Sequence, residues 1–192
     1  MPRHFMFTRE EIVNAALDLA REKGFAAVTA RALGSKLGSS SRPIFSFFAN
    51  MAEVQQAVVT AANELYQSYL KEDMEKGEYT PYKASGMAYI RFAREEKELF
   101  KLLFMRDRSE EKLEQTHEEK EAVVGLVGRQ LGLSPEKAEL FHLEMWLYVH
   151  GIATMIATGY INWDEKFASD ALTDMYIGLK ARFCDNPQAK GQ

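Results

Sequence analysis

Signals for the beginning and end of α-helices follow one another along the whole chain and restrict its fold more than any other feature. Thr8 and Glu11 have the spacing of a capping box, and Lys23-Gly24 is a typical helix end. Thr80-Pro81 and Ser134-Pro135 each place a capping hydroxyl before a proline at the first helical position. Strand signals are absent from the sequence. We therefore predict an all-α protein.

These signals predict about nine helices. The first begins after Thr8 and ends at Lys23-Gly24. The other predicted helices cover residues 29–37, 40–48, 50–75, 80–95, 98–105, 110–131, 134–158 and about 164–183. Residues 186–192 are polar, and we predict that they form a disordered tail.

Charge is distributed unevenly along the chain, whose net charge is -4. Residues 1–50 contain seven Lys and Arg residues against four Asp and Glu residues, whereas the remainder is acidic. A basic N-terminal segment on an acidic body is what a local DNA-binding surface would show, although the asymmetry alone is a weak signal.

Composition also indicates a compartment. Cys184 is the single cysteine, so no disulfide can form within the chain, and a reducing cytoplasm is expected. The most apolar stretch, about Met145 to Ala157, is shorter than the roughly 20 residues of a membrane span. No signal peptide is recognisable at the N-terminus. We predict a soluble, cytoplasmic protein without a membrane partner.

The first three predicted helices are short, with a tight turn at Gly38 between the second and the third. This is the plan of a helix-turn-helix, in which the third helix enters the major groove of DNA. Such small helices need a shared core. The apolar positions that would supply it are Ile12, Ala16, Leu19, Phe25, Leu33, Leu37, Ile44 and Phe48.

Over about residues 6–66 the sequence closely resembles the TetR family of transcriptional regulators. The resemblance rests on Gly24-Phe25, the threonine-led segment from Thr29 to Leu33, Leu37-Gly38, and the aromatic-rich segment from Ile44 to Phe48. A second segment, Trp146 to Gly151, is similar to the WHG signature of one branch of the family's C-terminal domains. The resemblance implies a DNA-binding domain over 6–66, with its helix-turn-helix at about 29–48, and a helical regulatory and dimerisation domain over 67–185.

The sequence departs from the family pattern at several positions near the turn. The family usually has lysine at the positions of Ser41 and Met51, and a small residue at the position of Arg42. Arg42 can replace the missing charge, and arginine also forms the commonest specific contact with guanine.

The start of the second helix, the turn and the third helix supply the candidate DNA contacts. Arg42 and Phe45 are the best candidates for base contacts, because an aromatic ring can also touch a thymine methyl. The predicted DNA-binding residues are Thr29, Arg31, Ser39, Ser40, Ser41, Arg42, Phe45 and Phe47.

Aromatic residues and methionines are frequent in the remainder of the chain. At helical spacing they usually form a core, but they also line adaptable apolar pockets. The resemblance implies a pocket for an unknown small, apolar or amphipathic ligand. The candidate pocket residues are Met87, Phe92, Phe100, Phe104, Trp146 and His150.

The last two predicted helices have more apolar surface than one core needs. In the family, these helices pair with those of a second subunit as a four-helix bundle, which implies a homodimer on palindromic double-stranded DNA. The candidate interface residues are Ile152, Met155, Leu172, Met175, Leu179 and Phe183.

Patterns typical of enzymes and metal sites are absent from the sequence. Glu139 and His142 have the spacing of one di-iron ligand pair, but that site needs two such pairs and further glutamates. Neither a phosphate loop nor a nucleophile elbow is present. We predict neither catalysis nor a metal or other cofactor.

We therefore predict a ligand-responsive DNA-binding regulator, most simply a repressor. Ligand would displace the fifth to seventh helices and push the fourth, which would change the separation of the two recognition helices. The alternative is a helical ligand-binding or scaffold dimer without DNA binding, which the missing lysines at Ser41 and Met51 favour.

Overall fold

The computed structural model describes residues 7–107 and 114–185, without the side chains at 114–120, 122 and 185. In this part of the chain it contains eight α-helices and no strand, which confirms the all-α prediction. The helices are α1 (Arg9–Lys23), α2 (Ala30–Lys36), α3 (Met51–Lys76), α4 (Pro81–Glu95), α5 (Lys97–Phe104), α6 (Glu114–Leu131), α7 (Pro135–Ala157) and α8 (Glu165–Lys180). The predicted start of the seventh helix at Glu110 and the tail 186–192 lie outside the described residues.

The helix ends form as their sequences predict. The Thr8 hydroxyl accepts the N–H of Glu11 at 3.1 Å, and the Glu11 carboxylate accepts the N–H of Thr8 at 2.7 Å. Ser134 and Asp164 cap α7 and α8 in the same way, each accepting an N–H three residues later. Gly24 follows α1 with a φ of 82°, a conformation that glycine adopts without strain.

The third predicted helix is a single 3-10 turn, Ile44–Ser46, instead of an α-helix. Its N–H groups bind carbonyls three residues earlier, as in the 3.2 Å bond from Ser46 to Pro43. Pro43 has no N–H, and the α3 cap at Asn50 follows soon after, so little length is left for regular α-helical hydrogen bonds.

The chain divides into two compact units. Unit 1 comprises the residues up to Ser68 together with Glu95–Arg106, so it contains α1, α2, most of α3 and α5. Its core includes Ile12, Ala16, Leu19, Leu33, Ile44, Phe48, Val54, Leu99 and Phe100. An ion pair of 2.7 Å between Arg21 Nε and the Glu96 carboxylate connects α1 to the start of α5.

Unit 2 comprises Tyr69–Arg94 and the chain from Asp107 onward. Its core is formed mainly by α4, α7 and α8 and includes Phe92, Phe141, Ile152, Ala153 and Leu172. Gly86 permits a close approach inside this unit, because a Cβ there would lie 3.2 Å from a methyl carbon of Leu172.

Helix α7 satisfies the length and composition criteria of a membrane span, which is weak support because the core helix of a soluble protein satisfies them too. It has Glu136, Lys137, Glu139 and Glu144 along its length and buries Phe141 in unit 2. It is not a convincing membrane span.

Candidate nucleic-acid interface and regulatory residues

The predicted DNA-binding residues lie on α2 and on the turn that follows it. Thr29 caps α2, and its hydroxyl accepts the N–H of Ala32 at 3.2 Å. Arg31 is exposed in the first turn of the same helix. The N-terminus of α2 therefore combines free N–H groups with a nearby cation, which suits a phosphate contact.

Close packing of the backbone holds the turn after α2 in place. Gly34 lies against it so tightly that a Cβ there would be 3.0 Å from the Ser40 carbonyl carbon and 3.1 Å from the Ser41 nitrogen. Ser39 donates its N–H to the Gly34 carbonyl at 2.9 Å, and Gly38 has a φ of 64°. The absence of a side chain at Gly34 therefore positions the serines and Arg42.

The 3-10 turn presents two faces of opposite character. Ile44 and Phe48 are buried in unit 1, and the Arg9 guanidinium lies 4.9 Å from the centre of the Phe48 ring. Arg42 and Ser46 are exposed, and the Phe45 side chain is 45% exposed. A large apolar ring open to solvent beside a cation suits base edges in a major groove. Ser46 was missed from the sequence, because its exposure follows from the 3-10 geometry.

The cations near this face differ in their partners. Lys36 is paired with Glu22 at 2.8 Å, and this partner lowers the pKa of the Glu22 carboxyl. In the described part of the chain, neither Arg31 nor Arg42 has an ion-pair partner. Their charges are therefore available for an external anion.

The start of α3 does not supply the charge that the family usually has there. Asn50 Oδ1 accepts the N–H of Glu53 at 3.0 Å, and the Glu53 carboxylate accepts the N–H of Ala49 at 2.8 Å. Met51 occupies the first position of the helix. A carboxylate at this helix end disfavours a phosphate, which leaves Arg31 and Arg42 as the principal cations.

The predicted pocket residues fall into both units. Phe100 and Phe104 belong to unit 1, where the Phe104 ring contacts Tyr66 with centroids 5.2 Å apart. Met87, Phe92, Trp146 and His150 belong to unit 2, where Met87 and Phe92 are buried in α4.

A polar aromatic group in unit 2 includes two of the predicted pocket residues. Tyr89 OH and His150 Nδ1 are 2.8 Å apart, and the Trp146 ring is stacked on the His150 ring with centroids 4.9 Å apart. Burial lowers the pKa of His150, so the neutral ring is favoured. Tyr89 was missed from the sequence, because tyrosine in an apolar helix gives no distinctive signal.

The predicted interface residues differ in burial. Ile152, Leu172 and Leu179 are buried inside unit 2, where they pack within the subunit. Met155 is exposed, and Met175 and Phe183 are partly buried. The other apolar side chains exposed on α7 and α8 are Leu140, Leu143, Trp146, Leu147, Tyr148, Phe167 and Ile177.

Potential metal ligands do not cluster in the described residues, which contain no group of three or more His, Cys, Asp or Glu side chains suited to a metal ion. His142, which has the spacing of a di-iron ligand relative to Glu139, has its Nδ1 3.2 Å from Tyr82 OH.

Comparison with known proteins gives two family matches. Residues 12–58 match the family described as bacterial regulatory proteins, tetR family, and residues 82–178 match the tetracyclin repressor-like C-terminal domain. The crystal structure of a TetR-like transcriptional regulator from Rhodococcus sp. RHA1 is similar in fold. Its TM-score is 0.64 at 16% identity, over 91% of this chain and 94% of that one. No curated protein matches the chain.

Proposed function

Because this chain belongs to the TetR family and is therefore a DNA-binding transcriptional regulator, we propose that it represses transcription from a palindromic operator and is released by a small molecule. Family members bind DNA and small ligands and act as dimers, and they are generally not enzymes. Two copies of unit 1 in a homodimer would then read two half-sites about one helical turn of DNA apart.

The observation that carries this proposal is the exposed pair Arg42 and Phe45 at the turn after α2. Arg42 has the geometry to bind guanine O6 and N7, and Phe45 has an apolar ring for a thymine methyl. Arg31, the Thr29 hydroxyl and the serines at 39–41 would hold the phosphates and fix the orientation, with Phe47 against the sugar-phosphate backbone.

The experiment is selection of bound fragments from the source genome, followed by titration of the selected operator with full-length variants. Arg42→Ala is expected to weaken binding by about 5- to 150-fold, the range of a good base contact. Lys71→Ala, which removes an exposed cation from α3, is the matched control and should change the affinity little. A loss of less than about 5-fold for Arg42→Ala would contradict base reading.

The salt dependence separates a base contact from a phosphate contact. If Arg42 binds a phosphate, Arg42→Ala should reduce the slope of log affinity against log salt by about one per contact. If Arg42 reads a base, the loss should fall mainly on one operator position, and substitution of that guanine should have little further effect on the variant.

The ligand response would involve the residues outside the helix-turn-helix. Trp146, His150 and Tyr89 place stacking surface and hydrogen-bonding atoms together in unit 2, which supports a site for a small apolar or amphipathic molecule. Ligand there would displace α4 to α6 and push α3, so that the two recognition turns no longer fit successive grooves. Such a protein would act in the cytoplasm, where operators are accessible.

A further inference from the structure

The side-chain hydroxyl of Thr154, in α7, has no hydrogen-bond partner although its oxygen is fully buried. Threonine in a helix normally donates its hydroxyl to a carbonyl one turn earlier. Thr60, Thr158 and Thr173 all do so, to the carbonyl four residues earlier, at 3.2, 2.7 and 2.9 Å. Among the helical threonines whose side chains are described, Thr154 alone departs from this pattern.

An unmet buried hydroxyl is costly, because it loses its hydrogen bonds to water and gains none in return. Rotation about one side-chain bond would be enough to reach the helix backbone, as at the other threonines. The hydroxyl of Thr154 instead faces away from its own helix carbonyl. Such an arrangement is expected where a group outside the chain completes the bond.

The neighbours of Thr154 along α7 point to a binding face. His150 and Trp146 precede it by four and eight residues, so the three side chains share one side of the helix. His150 is bound to Tyr89 OH and stacked on Trp146, and the Trp146 side chain is 39% exposed. This face therefore extends from the protein surface to the buried hydroxyl.

We propose that Thr154 Oγ1 binds the hydrogen-bond acceptor of an uncharged small molecule with an apolar body, and that this contact defines the polar end of the effector site. The inference rests on the ligand response proposed above and names the class of ligand. An uncharged ligand fits because no neighbouring charge contributes to the pKa of His150, which burial alone lowers. A buried ionised ligand would find no counter-charge there.

The first test is the stability of the unliganded full-length protein. Thr154→Val keeps the side-chain shape and removes the unmet hydroxyl, so the Tm is expected to rise by about 2–4 °C. Thr158→Val is the control, because its hydroxyl is already bonded, and it should not raise the Tm. A lower Tm for Thr154→Val would mean that an ordered water or another group already satisfies the hydroxyl, which overturns the proposal.

The second test uses a probe pair that differs in one acceptor, acetophenone and α-methylstyrene, titrated by calorimetry. Wild type and Thr158→Val are expected to bind acetophenone about 5- to 10-fold more tightly, the effect of one neutral hydrogen bond. Thr154→Val should bind both probes equally. Equal affinities in wild type, or no binding of either probe up to its solubility, would overturn the proposal.

Operator binding without a probe separates this inference from the proposed function. Thr154→Val is expected to bind the operator as wild type does. A wild-type protein that binds no operator would contradict the proposed function, and the probe titration would still decide whether Thr154 binds an acceptor.

Discussion

Gly34 and His150 are two residues whose roles depend on their immediate surroundings. Gly34 allows the backbone of the turn at 39–41 to approach α2 within van der Waals distance. His150 is held in a neutral state between a tyrosine hydroxyl and an indole ring. Both roles can be tested by one substitution, because the surrounding contacts are defined atom by atom.

Gly34→Ala is expected to destabilise the protein by about 1–3 kcal/mol, because its Cβ would meet backbone atoms that cannot rotate away. This cost should exceed the gain in helix propensity, which is at most about 1 kcal/mol. Urea unfolding of the full-length protein measures the change. Ser35→Ala, at the next, exposed position of α2, is the control and should cost little. Equal stabilities of the two variants would contradict the close-packing argument.

The stability of the protein is expected to fall as the pH decreases through the ordinary pKa of histidine, about 6.5, because burial lowers the pKa of His150 in the folded state. The unfolded chain then binds the proton more readily than the folded one. The slope should stay below the limit of about 1.4 kcal/mol per pH unit for one proton, because the ring is partly exposed.

Unfolding of wild type and His150→Asn between pH 7.5 and 5.5 measures this contribution. Asparagine offers an acceptor near the position of Nδ1 and does not titrate, so the variant should show a shallower pH dependence. The same slope in both proteins would assign the effect to other groups.

At the level of elements, α5 is notable because it belongs to the compact unit that contains the helix-turn-helix. It buries Leu99, Phe100, Leu102 and Leu103, and it starts at a carboxylate that is bound to α1. The sequence resemblance places the end of the DNA-binding domain near residue 66, whereas the compact unit also includes Glu95–Arg106. Unit 1 is therefore assembled from two separate segments of the chain.

Arg21→Ala is expected to destabilise the protein by about 1–2 kcal/mol, because the Glu96 side chain is only 11% exposed and would lose its counter-charge. The cost stays below that of a fully buried pair, since Arg21 is partly exposed. Lys36→Ala is the matched control, because it breaks a pair with the half-exposed Glu22 and should cost less than about 1 kcal/mol. Equal losses in thermal unfolding would contradict a special role for the contact between α1 and α5.

For the molecule as a whole, the exposed apolar residues of α7 and α8 indicate the surface for a second copy. Leu140, Leu143 and Leu147 follow at helical spacing on one side of α7, away from the buried Phe141 and Val149. Ile177 is exposed on α8. A stripe of this kind on the last two helices is what an isologous four-helix interface needs. We propose it as the dimer surface, with Met155 retained from the residues predicted by sequence.

Leu147→Glu is expected to convert the dimer to a monomer at micromolar concentration, because Leu147 is 58% exposed in one subunit and a charge would be buried on pairing. Sedimentation velocity measures the change. Tyr160→Ser is the control: this side chain is 80% exposed in the loop after α7, outside the stripe, and the variant should remain dimeric. A monomeric wild type would contradict the dimer altogether.

Much of this protein follows from sequence because its determinants are local. Capping boxes, helix-ending glycines and the 3.6-residue periodicity act within a few residues, so the helices and most of their boundaries were predictable. The identity of the N-terminal segment was also readable, because its residue types occur at fixed spacing around a short turn. These features hold whatever the rest of the chain does.

The tertiary structure decided what depends on distant residues. It made the third predicted helix a 3-10 turn that exposes Phe45 and Ser46, and it placed α5 in unit 1. It also turned Ile152, Leu172 and Leu179 inward, because an apolar helix with two apolar sides gives no sequence signal for which side faces its own core. The same limit applies to Thr154, since only packing determines whether a hydroxyl finds a partner.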